Sequence, residues 1–458
     1  YNTVDIYGNK IFENSVIFKD ILPGKYVEKK INFDNHPNGI FSLVYKIKNT
    51  NYEGELIYGV IPKVKGKCSL GMFTISDEVH LSRLARCNIK WYFALTDSIL
   101  RGYNVMPEKE RFVWFDKNVS CITKYMEGAI GILCHFIYPP KWLTYDKVVK
   151  LKRPFVGRGG YKKEIRFISE NLWRHIVSEI VSHYKGKIDR WIIDDEIDTQ
   201  VPAENYIYVL KNAYISARKV NPDVKISTGG ILEFYEKLID LGYEDYFDAF
   251  AGSPGIDWWG KKKTGLFAKK YKKEVWTYLH KRGDTFYRTH KKVSFDYHLY
   301  RARSAYSTTA QLILLSHATA LAPYRVHFYD VKSCLHVFDR SMFDYDGSLK
   351  PNGIGYIMAG SILAGAEPVD EMMLKKDGIS IMSFIDGDGY PEVLIQGNGE
   401  FKIDYPLNRI EIYDWFRNKM EKTHKLILTQ IPIYIKCCLL YTSPSPRDLS
   451  TSRMPSSA

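Results

Sequence analysis

The stretch RWIIDDEIDTQ, residues 190–200, changes character halfway along. Trp191, Ile192 and Ile193 form an apolar run of the kind that fills a buried strand. Three carboxylates follow at once, Asp194, Asp195 and Glu196, and a fourth comes at Asp198. Like charges this close repel, and each raises the pKa of its neighbours. A strand that ends in such a cluster supplies either the acid of an acid/base site or a polar loop.

The segments on either side repeat one rhythm from about residue 70 to 365. Short apolar strands are expected at 89–95 (IKWYFAL) and 129–138 (AIGILCHFIY). The stretch 170–186 carries Leu172, Ile176, Ile180 and Val181 at helical spacing and stops at Gly186. A second helix is expected over 203–222, closed by Asn221-Pro222. Strands follow at 224–228, 246–252, 274–279 and 325–331. Roughly eight strand–helix units predict a (β/α)8 barrel.

The two ends read differently. Residues 1–62 alternate apolar and polar side chains, as in GIFSLVYKIKNT and GELIYGVIP, and predict a small β-sandwich. Residues 366–436 return to that alternation, with a hairpin signal at DGDG (386–389), and predict a second one. The expected domains are therefore 1–62, a barrel over 63–365, and 366–436. The tail 437–458, Ser/Pro-rich and without any period, resembles translated read-through of a sequencing adapter on a metagenomic gene fragment. The alternative is a disordered tail.

The chain has 458 residues and a net charge of +13. That charge is compatible with acidic glycans, anionic surfaces or nucleic acid. The stretch KKKTGLFAKKYKK (261–273) holds seven lysines but no nucleic-acid motif, and it is read as a solvated face, so no nucleic-acid partner is expected. The 34 Tyr, 23 Phe and 9 Trp suit sugar stacking as well as an ordinary core. Seven cysteines show neither C-x-x-C pairs nor metal-ligand spacing, so no disulfide framework, metal or cofactor is expected. No run of about 18 apolar residues predicts a membrane span. The chain starts at Tyr1, and secreted and cytoplasmic placements both stay open, as does the oligomeric state.

The letters HYKGKIDRWIIDDEID (183–198) resemble a motif of the retaining glycoside hydrolases of clan A. His183, Tyr184, Gly186, Ile188, Trp191, Ile193, Glu196 and Asp198 fall at its positions. NAYISARKVNPDVKISTGG (212–230), GYEDYFDAF (242–250), SMFDYDGSLKPNGIGYIMAGSILAGAE (341–367) and the closing β segments resemble further parts of that family in the same order, so the resemblance spans nearly all of 1–436. It implies a TIM barrel with accessory β-sandwiches, a carbohydrate substrate, and Glu196 as general acid/base. Such a site needs one carboxylic acid to protonate the leaving oxygen and a second carboxylate to attack or stabilise the sugar.

The sequence departs from the family at the second carboxylate. In KKEVWTYLHKRG the nucleophile's place at the end of the expected seventh strand falls on Tyr278. The Arg that supports the nucleophile is replaced by Phe93, a coherent loss, since an unpaired buried Arg is costly. Asp195 stands where the family has a sugar-binding Asn, and an Asp accepts that bond but cannot donate one. Trp258 and Trp259, in GSPGIDWW, and Trp142 are the remaining substrate-binding candidates; packing under a loop is the bland reading for the first two. Tyr278 with an acidic partner is an alternative nucleophile of the sialidase kind. A glycan-binding protein without the nucleophile is the alternative to a glycosidase. GRGG (157–160) lacks the strand and helix of a phosphate loop and is read as a flexible loop. His280, His290 and His298 are read as solvated or structural.

Overall fold

The computed structural model describes residues 1–5, 9–17, 36–61, 70–73, 78–87, 89–93, 108, 111–136, 145–157, 160–194, 197, 201–229, 232–252, 294–299, 324–329, 357–358, 367–368, 373–374, 379–429 and 431–437. Four strands open the chain: β1 (Asn2–Asp5), β2 (Lys10–Glu13), β3 (Gly39–Lys46) and β4 (Glu53–Val60). They form one antiparallel sheet in the order β2-β1-β3-β4.

Eight parallel strands then close on themselves. They are β5 (Leu70–Phe73), β6 (Trp91–Phe93), β7 (Gly128–Leu133), β10 (Arg190–Ile193), β11 (Lys225–Thr228), β12 (Ala249–Gly252), β13 (Ser294–Leu299) and β14 (Tyr324–Tyr329), with β14 pairing back onto β5. A hairpin, β8 (Tyr145–Gly157) and β9 (Gly160–Ile168), sits between the third and fourth ring strands. Among the described residues five α-helices lie between strands: α1 (Glu78–Arg86), α2 (Asp116–Tyr125), α3 (Glu170–His183), α4 (Ala203–Val220) and α5 (Leu232–Asp240).

The seventh ring place is held by Ser294–Leu299, where the sequence reading had put 274–279. Both stretches mix aromatic and polar residues over a strand's length, so periodicity alone does not choose between them. Residues 274–279 lie outside the described residues.

Helix α3 starts where Ser169 Oγ accepts the Leu172 amide at 3.2 Å, and it is followed by a turn in which Gly186 takes φ +76°. It buries Trp173, Ile176, Val177, Ile180 and Val181. Helix α4 buries Tyr206, Val209, Leu210, Ala213 and Ala217 and ends at Asn221, whose amide donates to Ala217 O. One apolar core joins these faces to the ring. Two glycines fit the ring to its tryptophans. Gly131 of β7 lies opposite Trp191 of β10, and a Cβ there would come within 2.2 Å of the indole. Gly128 stands in the same relation to Trp91 of β6.

The C-terminal strands are β15 (Glu367–Pro368), β16 (Met373–Leu374), β17 (Ser380–Ile385), β18 (Pro391–Gln396), β19 (Gly399–Lys402), β20 (Ile410–Tyr413), β21 (Lys425–Leu428) and β22 (Ile433–Cys437). Six form one sheet, and β19 pairs with β21. Alternation sorts the large sheet's residues. Phe384, Leu394 and Tyr434 join the core shared with the ring, whereas Ile381, Ile395, Ile433 and Ile435 cluster with Leu426 and Leu428 of β21. Asp386-Gly-Asp-Gly389 forms the β17–β18 turn, with Gly389 at φ +87°. Strand β22 runs one residue past the expected end, because Cys437 pairs with Ile410. Asn418 ties this region to the first sheet: it donates to Asn38 O at 2.8 Å and accepts the Asn38 amide at 2.9 Å.

Candidate active site

Parallel ring strands all end on one face, and β7 and β10 end there side by side, with Ile193 opposite Leu133. The next residue after each strand pair makes a clasp. Asp194 takes φ +54°, a left-handed conformation that Asp tolerates better than most side chains. Its own amide donates to Leu133 O at 2.9 Å. Its Oδ1 accepts the amides of His135 at 2.8 Å and Phe136 at 3.0 Å. Asp194 is fully buried. Hydrogen bonds to a charged acceptor are among the strong ones, so this carboxylate fixes the exit of β7 against the exit of β10.

His135 extends the clasp to the hairpin. Its Nε2 accepts the Ile168 amide at 3.2 Å, which makes Nδ1 the protonated nitrogen of the neutral ring. Burial lowers its pKa to about 3, so the ring stays neutral. Trp173 meets it edge-on at 5.1 Å between centroids, and the indole is itself fixed by a bond to Val209 O. From the other side, Tyr206 of α4 donates its hydroxyl to Ile193 O. Burial, and then the charge of Asp194, push the Tyr206 pKa well above its ordinary value, so it remains a donor.

The sequence reading gives Asp194 the task of raising the pKa of Glu196. In the structure its Oδ1 also has a mechanical task, accepting the amides at the exit of β7. Asp195 and Glu196 lie between Asp194 and buried Ile197 in the chain, outside the described residues, as do Tyr278, Trp142, Trp258 and Trp259. Phe93 ends β6, paired with Phe73 and Ile130. Of the GRGG stretch, Gly157 ends β8 and Gly160 opens β9 opposite it. His135 and Tyr206 were not singled out from sequence. The available signal was a lone His directly after the all-apolar GILC.

Among the described residues no group of three His, Cys, Asp or Glu side chains could hold a metal ion. No described helix is long and apolar enough to cross a membrane.

Solved structures share this fold across most of the chain. A family 39 glycoside hydrolase from Bacteroides cellulosilyticus WH2 superposes with a TM-score of 0.66 at 16% identity, covering 88% of each chain. A family 30 endoxylanase from Clostridium papyrosolvens C71 gives 0.50 at 10% identity, over 82% of this chain and 97% of that one. A family 30 xylanase C catalytic domain from Talaromyces cellulolyticus gives 0.51 at 6% identity, with the same coverage. The chain thus has the fold of clan A glycoside hydrolases. No protein-family model matches the sequence, and no curated protein matches it.

Proposed function

We propose that this chain is a glycoside hydrolase-like protein acting on O-glycosidic bonds of an oligo- or polysaccharide, with Glu196 as general acid/base. The observation that carries the reading is the exit of β10. It is the fourth strand of a closed parallel ring, and it leaves the ring through a braced residue, Asp194, two positions before Glu196. Functional residues of such rings gather at the C-terminal ends of the strands. A braced exit suits an acid that must be held in one place. Asp195 and the tryptophans at 142, 258 and 259 are proposed to contact sugar. The domain division follows the same reading: an N-terminal β unit over 1–62, whose described strands form one sheet and not the two of a sandwich, a barrel over 63–365, a C-terminal sandwich from 366 to the end of β22, and a tail outside the fold.

A second reading is favoured by Phe93, which ends β6 where the family carries the Arg that supports its nucleophile; it keeps Tyr278 as the replaced nucleophile of the sequence reading, although Ser294–Leu299 and not 274–279 holds the seventh ring place. A phenol with its ordinary pKa near 10 is a weak nucleophile at neutral pH without a base. A carbohydrate-binding protein that has lost turnover fits those two residues. Hydrolysis of aryl glycosides by the native chain, abolished in Glu196→Gln, supports the enzyme. Oligosaccharide binding without turnover, with hydrolysis appearing only in Phe93→Arg/Tyr278→Glu, supports the second reading. A chain that neither hydrolyses nor binds any oligosaccharide refutes both.

A further inference from the structure

We infer that the β8–β9 hairpin is a cationic binding ribbon for a polyanionic polysaccharide, one bearing carboxylate or sulfate groups along its chain. This rests on the carbohydrate reading of the site and narrows it to a substrate class.

The hairpin belongs to the strand-end face. It is the excursion between the exit of β7 and helix α3, and its last residue, Ile168, is bonded to His135, which is bonded in turn to Asp194 at the exit of β10. One side of its base is anchored: Ile165, Phe167 and Ile168 are buried, and Val149 and Leu151 pack against the same core. The ribbon is therefore fixed next to the segment that carries Glu196.

Its charge is one-sided. Residues 145–168 hold eight Lys and Arg against two acids, a net charge of six out of the +13 of the whole chain. Lys147, Lys150, Lys163 and Arg166 are exposed. Arg166 is satisfied by Glu164, at 2.7 Å. Among the described residues Lys147, Lys150 and Lys163 meet no carboxylate within ion-pair distance; Lys147 stands over the rings of Tyr208 and Phe167, at 5.5 and 5.9 Å. The register of β8 against β9 shifts between Lys150 and Phe155. Lysines also protect exposed strand edges from pairing with other chains, but a protective role needs one or two charges, not a net of six. Cations on both faces of a ribbon beside a carbohydrate site, Lys147 and Lys163 on one and Lys150 on the other, are complementary to an anionic chain that crosses it.

The test uses the full chain and four probes: polygalacturonate, chondroitin sulfate, an unsubstituted xylan and duplex DNA. The variant is Lys147→Gln/Lys150→Gln/Lys163→Gln. Gln is chosen because a Glu at 150 would face Glu164 across the strand pair. The native chain is expected to bind at least one anionic polysaccharide more tightly than xylan, and the variant to lose about tenfold at low salt. The matching Lys→Arg variant must keep the affinity, which separates lost charge from a damaged hairpin. Equal affinity of native and Gln variants for the anionic polymers overturns the inference. Binding of xylan alone also overturns it, while the carbohydrate reading stands. Tighter binding of DNA than of any polysaccharide, or binding of none of the four, overturns the inference, while the carbohydrate reading falls only if the chain neither hydrolyses nor binds any oligosaccharide.

Discussion

Replacing Asp194 by Ala should open the exits of β7 and β10 without touching the rest of the ring. Three terms set the size. Two backbone amides, of His135 and Phe136, lose an ionised acceptor, and each such bond contributes about 1.5–3 kcal/mol. Ala in a left-handed conformation at φ +54° adds about 1 kcal/mol relative to a residue that tolerates it. Against these stands the relief from desolvating a fully buried carboxylate, which offsets part of the loss. The net expectation is about 3–4 kcal/mol of local opening. Hydrogen exchange reads this directly: protection of the His135 and Phe136 amides should fall by a factor of about a hundred to a thousand. Amides of α2, which the clasp does not touch, should change little. Asp194→Asn keeps an acceptor oxygen and tolerance of the left-handed region, and should cost less than half as much. Unchanged protection at 135 and 136 in Asp194→Ala would refute the clasp.

Other predictions follow from single residues. His135 is held neutral with a pKa of about 3, below its ordinary value near 6.5, so between those values the unfolded chain binds one more proton than the folded one. Stability should fall as pH drops through that window and be unaffected by this group above it. His135→Gln, which can still accept the Ile168 amide, should reduce the slope of stability against pH there by up to about 1.4 kcal/mol per pH unit. In the C-terminal sheet, Arg417 Nη2 donates to Oε2 of Glu392 at 2.9 Å, and the Glu392 side chain has no solvent exposure. Arg417→Met should cost about 3–5 kcal/mol in denaturant titration, and adding Glu392→Leu should recover most of it, because the penalty comes from the stranded charge. Gly131→Ala would set a methyl against the Trp191 indole and should cost at least about 2 kcal/mol, whereas Gly131→Ala with Trp191→Phe should cost less than the sum of the two single changes.

Much of this fold is written in period and punctuation. Helix α3 was legible because its apolar residues recur at helical spacing and Gly186 follows it, and β10 because three apolar residues precede a run of acids. Yet Trp173 and Val177, both buried, lie on the α3 face that the reading had given to Leu172. The hairpin was not legible. Its lysines fall on both faces of each strand, so no alternation shows, and the register slip around Pro154 breaks what remains. GRGG reads as a loop, and the pairing of Gly157 with Gly160 sets it between two long strands that the reading does not contain. The seventh ring strand failed for a related reason, since two nearby stretches offer the same mixture of aromatic and polar residues.

At the site, the sequence showed four acids but not which of them serves the backbone. Side chains on a regular strand alternate sides, so three consecutive acids would be shared between the two faces. Asp194 breaks that rule by adopting φ +54°. The turn brings its carboxylate onto the amides of the neighbouring strand's exit and ends the pleat before Asp195. Two amides stabilise its charge and keep it ionised, and their dipoles offset part of its field. For the proposed site we assign the raising of the acid's pKa to Asp195, Asp198 and burial, and to Asp194 a role by position. The two roles separate experimentally. Asp194→Asn removes the charge and keeps the bond to the amides, so the pH profile of any hydrolysis should stay in place, whereas Asp195→Asn should move its alkaline limb, set by deprotonation of the general acid, to lower pH. A shift of similar size with Asp194→Asn would mean that its charge, and not its hydrogen bonds, is what the site uses.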